Sequence, residues 1–244
     1  MRLLARVEEL SGRPVEFRPD SSLNVRATLQ MARHGATAHV LRYRTTNDPL
    51  DYWVSCQAGF ALRLFELPVE DRLDLRGAGE AEHQAATLVK TGQPLTVDDL
   101  AALPDYAQLL AHWALMNLRS LPLGIRIDEW LASEHQELRA LQIEGIDAIQ
   151  QENLQVLSRR LGNLSVPTTL LAPLAACALV ADRIRGTETY AVPYRAAGVI
   201  DHGRELLALV DAISSDASHD CELIDAWAMA TGTRDWYSWI PYEP

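Results

Sequence analysis

The apolar positions change their period along the chain, and the change divides it into elements. Leu3, Leu4, Val7 and Leu10 recur at helical spacing, and Ser11-Gly12-Arg13-Pro14 closes that run with a turn and a missing amide donor, which predicts a short helix over 1–10. Alternation then takes over. Val15 and Phe17 stand between polar neighbours, and after Pro19-Asp20-Ser21-Ser22 two extended stretches, 25–33 and 37–44, flank His34-Gly35-Ala36. Together they predict a small antiparallel sheet. From Asp48-Pro49 onward the strand pattern almost vanishes. Helical blocks are expected at 49–66, 79–91, 105–119, 126–161, 166–184, 200–214 and 220–231. The breakers between them are Pro68, Gly92-Gln93-Pro94, Pro104, Pro122-Leu123-Gly124, Gly162, Gly186 and Gly232. With no repeat and no Gly- or Ser-rich linker, the expected architecture is a single α+β domain over 1–244: a sheet and core helix in 1–66, and a helical continuation in 67–244.

The segment from Asn47 to Glu66 has the strongest internal pattern. Asn47 or Asp48 can cap a helix there, Pro49 suits its first turn, and Pro68 limits its end. At about 100° per residue, Asp51, Ser55, Gly59, Arg63 and Glu66 share one arc. Leu50, Trp53, Val54, Cys56, Phe60, Ala61, Leu64 and Phe65 fill the other. Gln57 lies within the apolar arc, so burial and internal partners are expected for its amide, because an orphaned buried polar group costs about 1 to 3 kcal/mol.

Composition narrows the function classes. The 244 residues are 48% hydrophobic and 23% charged, as in a folded globular protein. No apolar run reaches the roughly 18 to 20 residues that span a bilayer. Arg2, Arg6, Glu8 and Glu9 stand where a secretory signal would be apolar, so a cytoplasmic protein with no membrane association is expected. Cys56, Cys177 and Cys221 have no metal-binding spacing and suit a reducing compartment. The net charge of −11, with no basic run, argues against nucleic acid. Lys90 is the one lysine among 22 basic residues, and no phosphate-loop glycines precede it.

A strand ending in Val40-Leu41-Arg42-Tyr43-Arg44, a short loop, then an apolar helix with a polar residue facing inward and Ala61-Leu62-Arg63 after it resembles the zincin-type metallopeptidases. In that family the helix carries His-Glu-x-x-His, two imidazoles that bind zinc and a glutamate that serves as general base toward the metal-bound water. The resemblance covers about residues 25–66 and places Cys56-Gln57-Ala58-Gly59-Phe60 on the motif. Cys56 and Phe60 then occupy the ligand positions and Gln57 the base position. Phe60 cannot bind a metal and Gln57 cannot take a proton, so the resemblance implies a zincin-like core without zinc or other cofactor. The other reading of the same residues is an ordinary core helix whose glutamine bonds a neighbouring backbone group.

Glu80 and His83 have the Glu-x-x-His spacing of di-iron helices, but a second copy is absent, so a solvated helix start is expected. Glu134, His135, Glu137 and Glu144 lie where a third ligand could stand. Their alternation with Leu131, Leu138, Leu141 and Ile143 reads as a charged helix face. A cysteine hydrolase would use Cys56 with His39, His83 or His112 as base, although a thiol inside an apolar helix is held inert. Near the end of the chain Trp227, Trp236, Tyr237, Trp239 and Tyr242 form an aromatic tail. Trp236, Trp239 and Tyr242 are candidates for an interaction, and docking onto their own domain is the expected arrangement. The function expected is that of an inactive zincin-like protein that binds or regulates another macromolecule, through an unknown protein partner. An oligomer of the chain stays open. The alternative is an enzyme, either a cysteine hydrolase or a metal-dependent hydrolase.

Overall fold

The computed structural model describes residues 2–45, 49–92, 95–158, 160–161 and 163–243, of which 90–92 and 160–161 only by backbone. The fold is α+β. Helix α1 (Arg2–Ser11) leads into strands β1 (Val15–Pro19), β2 (Ala27–Gln30) and β3 (His39–Tyr43), followed by helix α2 (Leu50–Phe65). Strand β4 (Leu73–Gly77) precedes α3 (Ala81–Gly92), α4 (Val97–Glu134) and α5 (Arg139–Ser158). A small ribbon, β5 (Arg160–Leu161) with β6 (Leu164–Ser165), connects to α6 (Thr168–Arg185), α7 (Ala191–Ala196), α8 (Ile200–Ala212), α9 (Asp220–Thr231) and β7 (Tyr237–Pro241).

The N-terminal sheet has the order β1-β3-β2 and is mixed, not antiparallel as expected. β2 and β3 run antiparallel about a turn at His34-Gly35, but β1 lies parallel to β3. The 19 residues between β1 and β3 let the chain cross back and enter β3 in the direction of β1, a topology that alternation alone does not encode. Leu41 of β3 packs with Leu4 and Val7 of α1 and with Val54, Ala58, Ala61 and Phe65 of α2 in one apolar layer.

The helical blocks expected at 105–119 and 126–161 are divided differently. Pro104 and Pro122 both lie inside α4, whose break comes at His135 instead. Each proline removes one backbone bond, a cost of about 3 kcal/mol in isolation. Helix α4 is packed by α2, α3, α6 and α9, and that burial, including Pro122 itself, outweighs the loss. Its start is set by a capping box in which Thr96 accepts from the Asp99 amide and Asp99 from the Thr96 amide. Helices α6 and α9 do end at the glycines expected, with Gly186 and Gly232 both at φ 72°. Asn47, Asp48, Gln93, Pro94 and Gly162 lie outside the described residues, as does the side chain of Lys90.

Four strands were not expected: β5 and β6 of the small ribbon, the first of them inside the block 126–161 expected to be helical, and the pair β4 and β7. β4 and β7 pair antiparallel from Leu73↔Pro241 to Gly77↔Tyr237, so the aromatic tail is a strand edge as well as an apolar anchor. Trp236 is buried against Ala81 and Ala85 of α3 and Leu103 and Ala107 of α4. Tyr237 and Trp239 both donate to Asp225 of α9, the latter at 2.9 Å. Tyr242 is buried beside Phe65, and its hydroxyl donates to the Ala32 carbonyl at 2.7 Å. The tail thus docks onto its own chain and ties α9 and the α3–α4 pair to the N-terminal sheet.

Candidate functional site

Helix α2 is enclosed on more sides than its two arcs suggest. Ser55 and Gly59, on the arc opposite the apolar one, are buried. A Cβ built on Gly59 would lie 2.8 Å from the Ile127 side chain of α4, so the glycine permits close helix packing. Arg63 also faces protein, through an ion pair with Asp220. At Gly59 and Arg63 the arc meets α4 through a tight contact and α9 through a countercharge, while Asp51 and Glu66 at its ends are exposed.

The three motif positions point in two directions. Gln57 accepts from the Leu29 amide of β2 at 3.0 Å. In the antiparallel β2–β3 register the bond from the Arg44 amide to the Arg26 carbonyl sets the hydrogen-bonded positions at Arg26, Thr28 and Gln30, so the Leu29 amide points to the outer edge of the sheet. Gln57 is half-buried, not buried as expected, because its partner belongs to an edge strand. Cys56 and Phe60 face α4. The Phe60 ring packs toward Gly124, and the Cys56 Sγ is 4.0 Å from the Asp128 Oδ1.

Asp128 is the centre of a cluster that sequence spacing did not reveal. The Tyr52 hydroxyl donates to its Oδ1 at 2.7 Å, and Gln142 of α5 donates to its main-chain carbonyl at 2.7 Å. Helix α5 approaches closely here, since a Cβ on Gly145 would lie 2.3 Å from the Tyr52 ring. Burial pushes the Asp128 carboxyl up to about 6, against the opposing pull of the Tyr52 and Gln142 hydrogen bonds. Burial first and the Asp128 charge second also push the Cys56 and Tyr52 protons well above their ordinary range, and Cys177 up to about 12. Cys56 is therefore a protonated, half-buried thiol.

A second cluster ties the other end of α2 to the helical body. Arg63 donates to both carboxylate oxygens of Asp220, at 2.7 and 2.5 Å, and to the Ser215 carbonyl at 2.8 Å. Arg126 of α4, 6% exposed, donates to Asp220 at 3.2 Å and to the Ile213 carbonyl at 2.9 Å. The bidentate fork of Arg63 suits a carboxylate held at the start of α9. Arg63 was legible only as part of the Ala61-Leu62-Arg63 run, and Arg126 and Asp220 carried no local signal.

The remaining candidates are dispersed. His39 is fully buried. Its Nδ1 accepts from the Ala32 amide at 2.9 Å, so its Nε2 carries the proton toward Ser11 Oγ at 2.8 Å, and neither nitrogen bonds Cys56. Burial and the nearby Arg13 lower its proton affinity, which keeps this tautomer neutral. Glu80 and His83 are exposed at the start of α3, where His83 borders an open depression of about 290 Å³ between α3 and α4. His112 is exposed on α4. Glu134, Glu137 and Glu144 face outward, with Glu134 accepting from the Trp130 indole at 3.0 Å and Glu137 lying 3.2 Å from His135. Cys221 is pushed up to about 11, mainly by burial.

Among the described residues no group of three or more His, Cys, Asp or Glu side chains is placed to hold a metal ion, and no helix is long and apolar enough to cross a membrane. The zinc that a zincin core implies does not fit the residues present. Phe60 has no donor atom, the Cys56 thiol faces a carboxylate that raises its proton affinity, and the Gln57 oxygen is already engaged. No family model, curated protein or solved structure matches this chain.

Proposed function

We propose that this chain is a catalytically inactive protein of zincin-like build that acts in the cytoplasm by binding or regulating another macromolecule. The observation that carries the reading is the use made of the three motif positions. Where a peptidase needs a base aimed at a water, Gln57 holds an edge amide of β2, and where it needs a second ligand, Phe60 packs toward Gly124. The strand-loop-helix order supports the zincin-like build, because β2 and β3 precede α2 and β2 lies against it. A net charge of −11 favours a protein partner over a nucleic acid. A cysteine hydrolase lacks support, since the His39 nitrogens are bonded elsewhere and the Cys56 thiol is held protonated.

Elemental analysis of protein purified without added metal, combined with thiol labelling, tests the reading. Substoichiometric zinc, no peptide hydrolysis, and a Cys56 that labels only on unfolding are the expected results. About one zinc per chain that is lost in Cys56→Ser, or hydrolysis abolished by that substitution, would overturn it.

A further inference from the structure

Strand β1 leaves one edge open. Among the described residues only β3 pairs with it, and the pairing puts the backbone groups of Glu16 and Arg18 toward β3, as the bond from the His39 amide to the Pro14 carbonyl at 2.9 Å requires for this register. The amides and carbonyls of Val15 and Phe17 therefore point outward. The Val15 amide is taken by the Glu8 carboxylate at 2.7 Å, which leaves Phe17 as the residue that offers both a donor and an acceptor along the edge. Its side chain is apolar and yet 44% exposed, set edge-on against Tyr43 at 6.4 Å. An outward apolar residue on an unpaired edge is a template for another strand.

The sequence Val15-Glu16-Phe17-Arg18-Pro19 says which strand fits. About a two-fold axis through Phe17, antiparallel pairing of this segment with itself sets Glu16 opposite Arg18 twice and Phe17 opposite Phe17. Glu16 and Arg18 already lie on one face, joined at 2.7 Å with half or more of each side chain exposed. The two-fold would join them into a ring of four alternating charges. The charge pattern is self-complementary although the chain as a whole carries −11.

We propose that the outer edge of β1 pairs antiparallel with β1 of a second copy of this chain, centred on Phe17, to give a continuous six-stranded sheet in the order β2-β3-β1-β1-β3-β2. The interface is short, so the dimer is weak, and the overall charge makes it depend on salt to screen the repulsion between the bodies.

Sedimentation of the full chain from about 1 to 200 µM in about 0.15 M salt reads the equilibrium directly. A dimer should grow in across that range. Glu16→Arg and Arg18→Glu should each weaken it about tenfold by setting like charges opposite each other. An equimolar mixture of those two variants restores opposite charges and should dimerise like the parent. Phe17→Pro, which removes the outward amide and none of the bonds to β3, should abolish the dimer at an unchanged melting temperature. A chain that stays monomeric to 200 µM, a dimer indifferent to the single charge variants or to Phe17→Pro, or a mixture that fails to associate would each overturn the proposal.

Discussion

Helix α2 meets one aspartate at each end of its buried face, and the two are handled in opposite ways. Asp220 accepts from two guanidiniums, Arg63 and Arg126, one from α2 and one from α4. The Asp128 carboxylate accepts from the neutral hydroxyl of Tyr52 and faces the thiol of Cys56 at 4.0 Å. A carboxylate bonded to two guanidiniums fastens three helices, while one that meets a hydroxyl and a thiol leaves its burial uncompensated by any cation, and its pKa is pushed up to about 6. The acid nearest Cys56 is tuned mainly by burial, against the pull of the Tyr52 hydroxyl that donates to it.

The sharpest break of this contrast is Asp220→Ala, which leaves Arg63 and Arg126 without a countercharge. A loss of about 3 to 5 kcal/mol is expected, read as a lowered urea midpoint at constant slope. Removing the other acid has the opposite sign. The folded-state pKa of Asp128 lies above its ordinary 3.8, so its contribution to stability is fully present below about pH 4 and is lost as pH rises through about 6. Asp128→Asn keeps an acceptor for Tyr52 and should stabilise the protein at pH 7.5 by on the order of 2 kcal/mol, with the difference from the parent shrinking toward zero at pH 4. A pH-independent difference would mean that water reaches the carboxylate.

Smaller changes sharpen the contrast. Gly145→Ala forces a methyl into the Tyr52 ring and should destabilise by about 1 to 3 kcal/mol, opening the Asp128 cluster so that Cys56 labels faster in the native state. Gln57→Leu should cost least, about 0.5 to 1.5 kcal/mol, because the Leu29 amide at an edge strand recovers water once the glutamine is gone. Native-state hydrogen exchange at Leu29 would show that loss.

The parts of the fold legible in the sequence are those set by local spacing. Helix α2 was expected over 49–66 and spans Leu50–Phe65, and α9 was expected over 220–231 and spans Asp220–Thr231. The tail was expected to dock because three large aromatics in a short segment gain more by burial than the segment loses in order. Its pairing with β4 was hidden, since Leu73–Gly77 finds its partner strand about 160 residues away. Of the candidate site, the sequence revealed Cys56, Gln57 and Phe60 but not Asp128, which stands between Arg126 and Glu129 as one more charged position of a helix and shows its role only beside Tyr52.

Local pattern by itself determined the α+β class, the span of α2 and the absence of a complete His-Glu-x-x-His motif, because each depends on residues close in the chain. Only the tertiary structure decided that β1 runs parallel to β3, that α4 continues through Pro104 and Pro122, and that one buried aspartate is paired while the other is not. Those outcomes depend on which distant surfaces meet. Burial against several neighbours can offset a lost backbone bond or shift a carboxyl by about two pH units, and no local pattern records that neighbourhood.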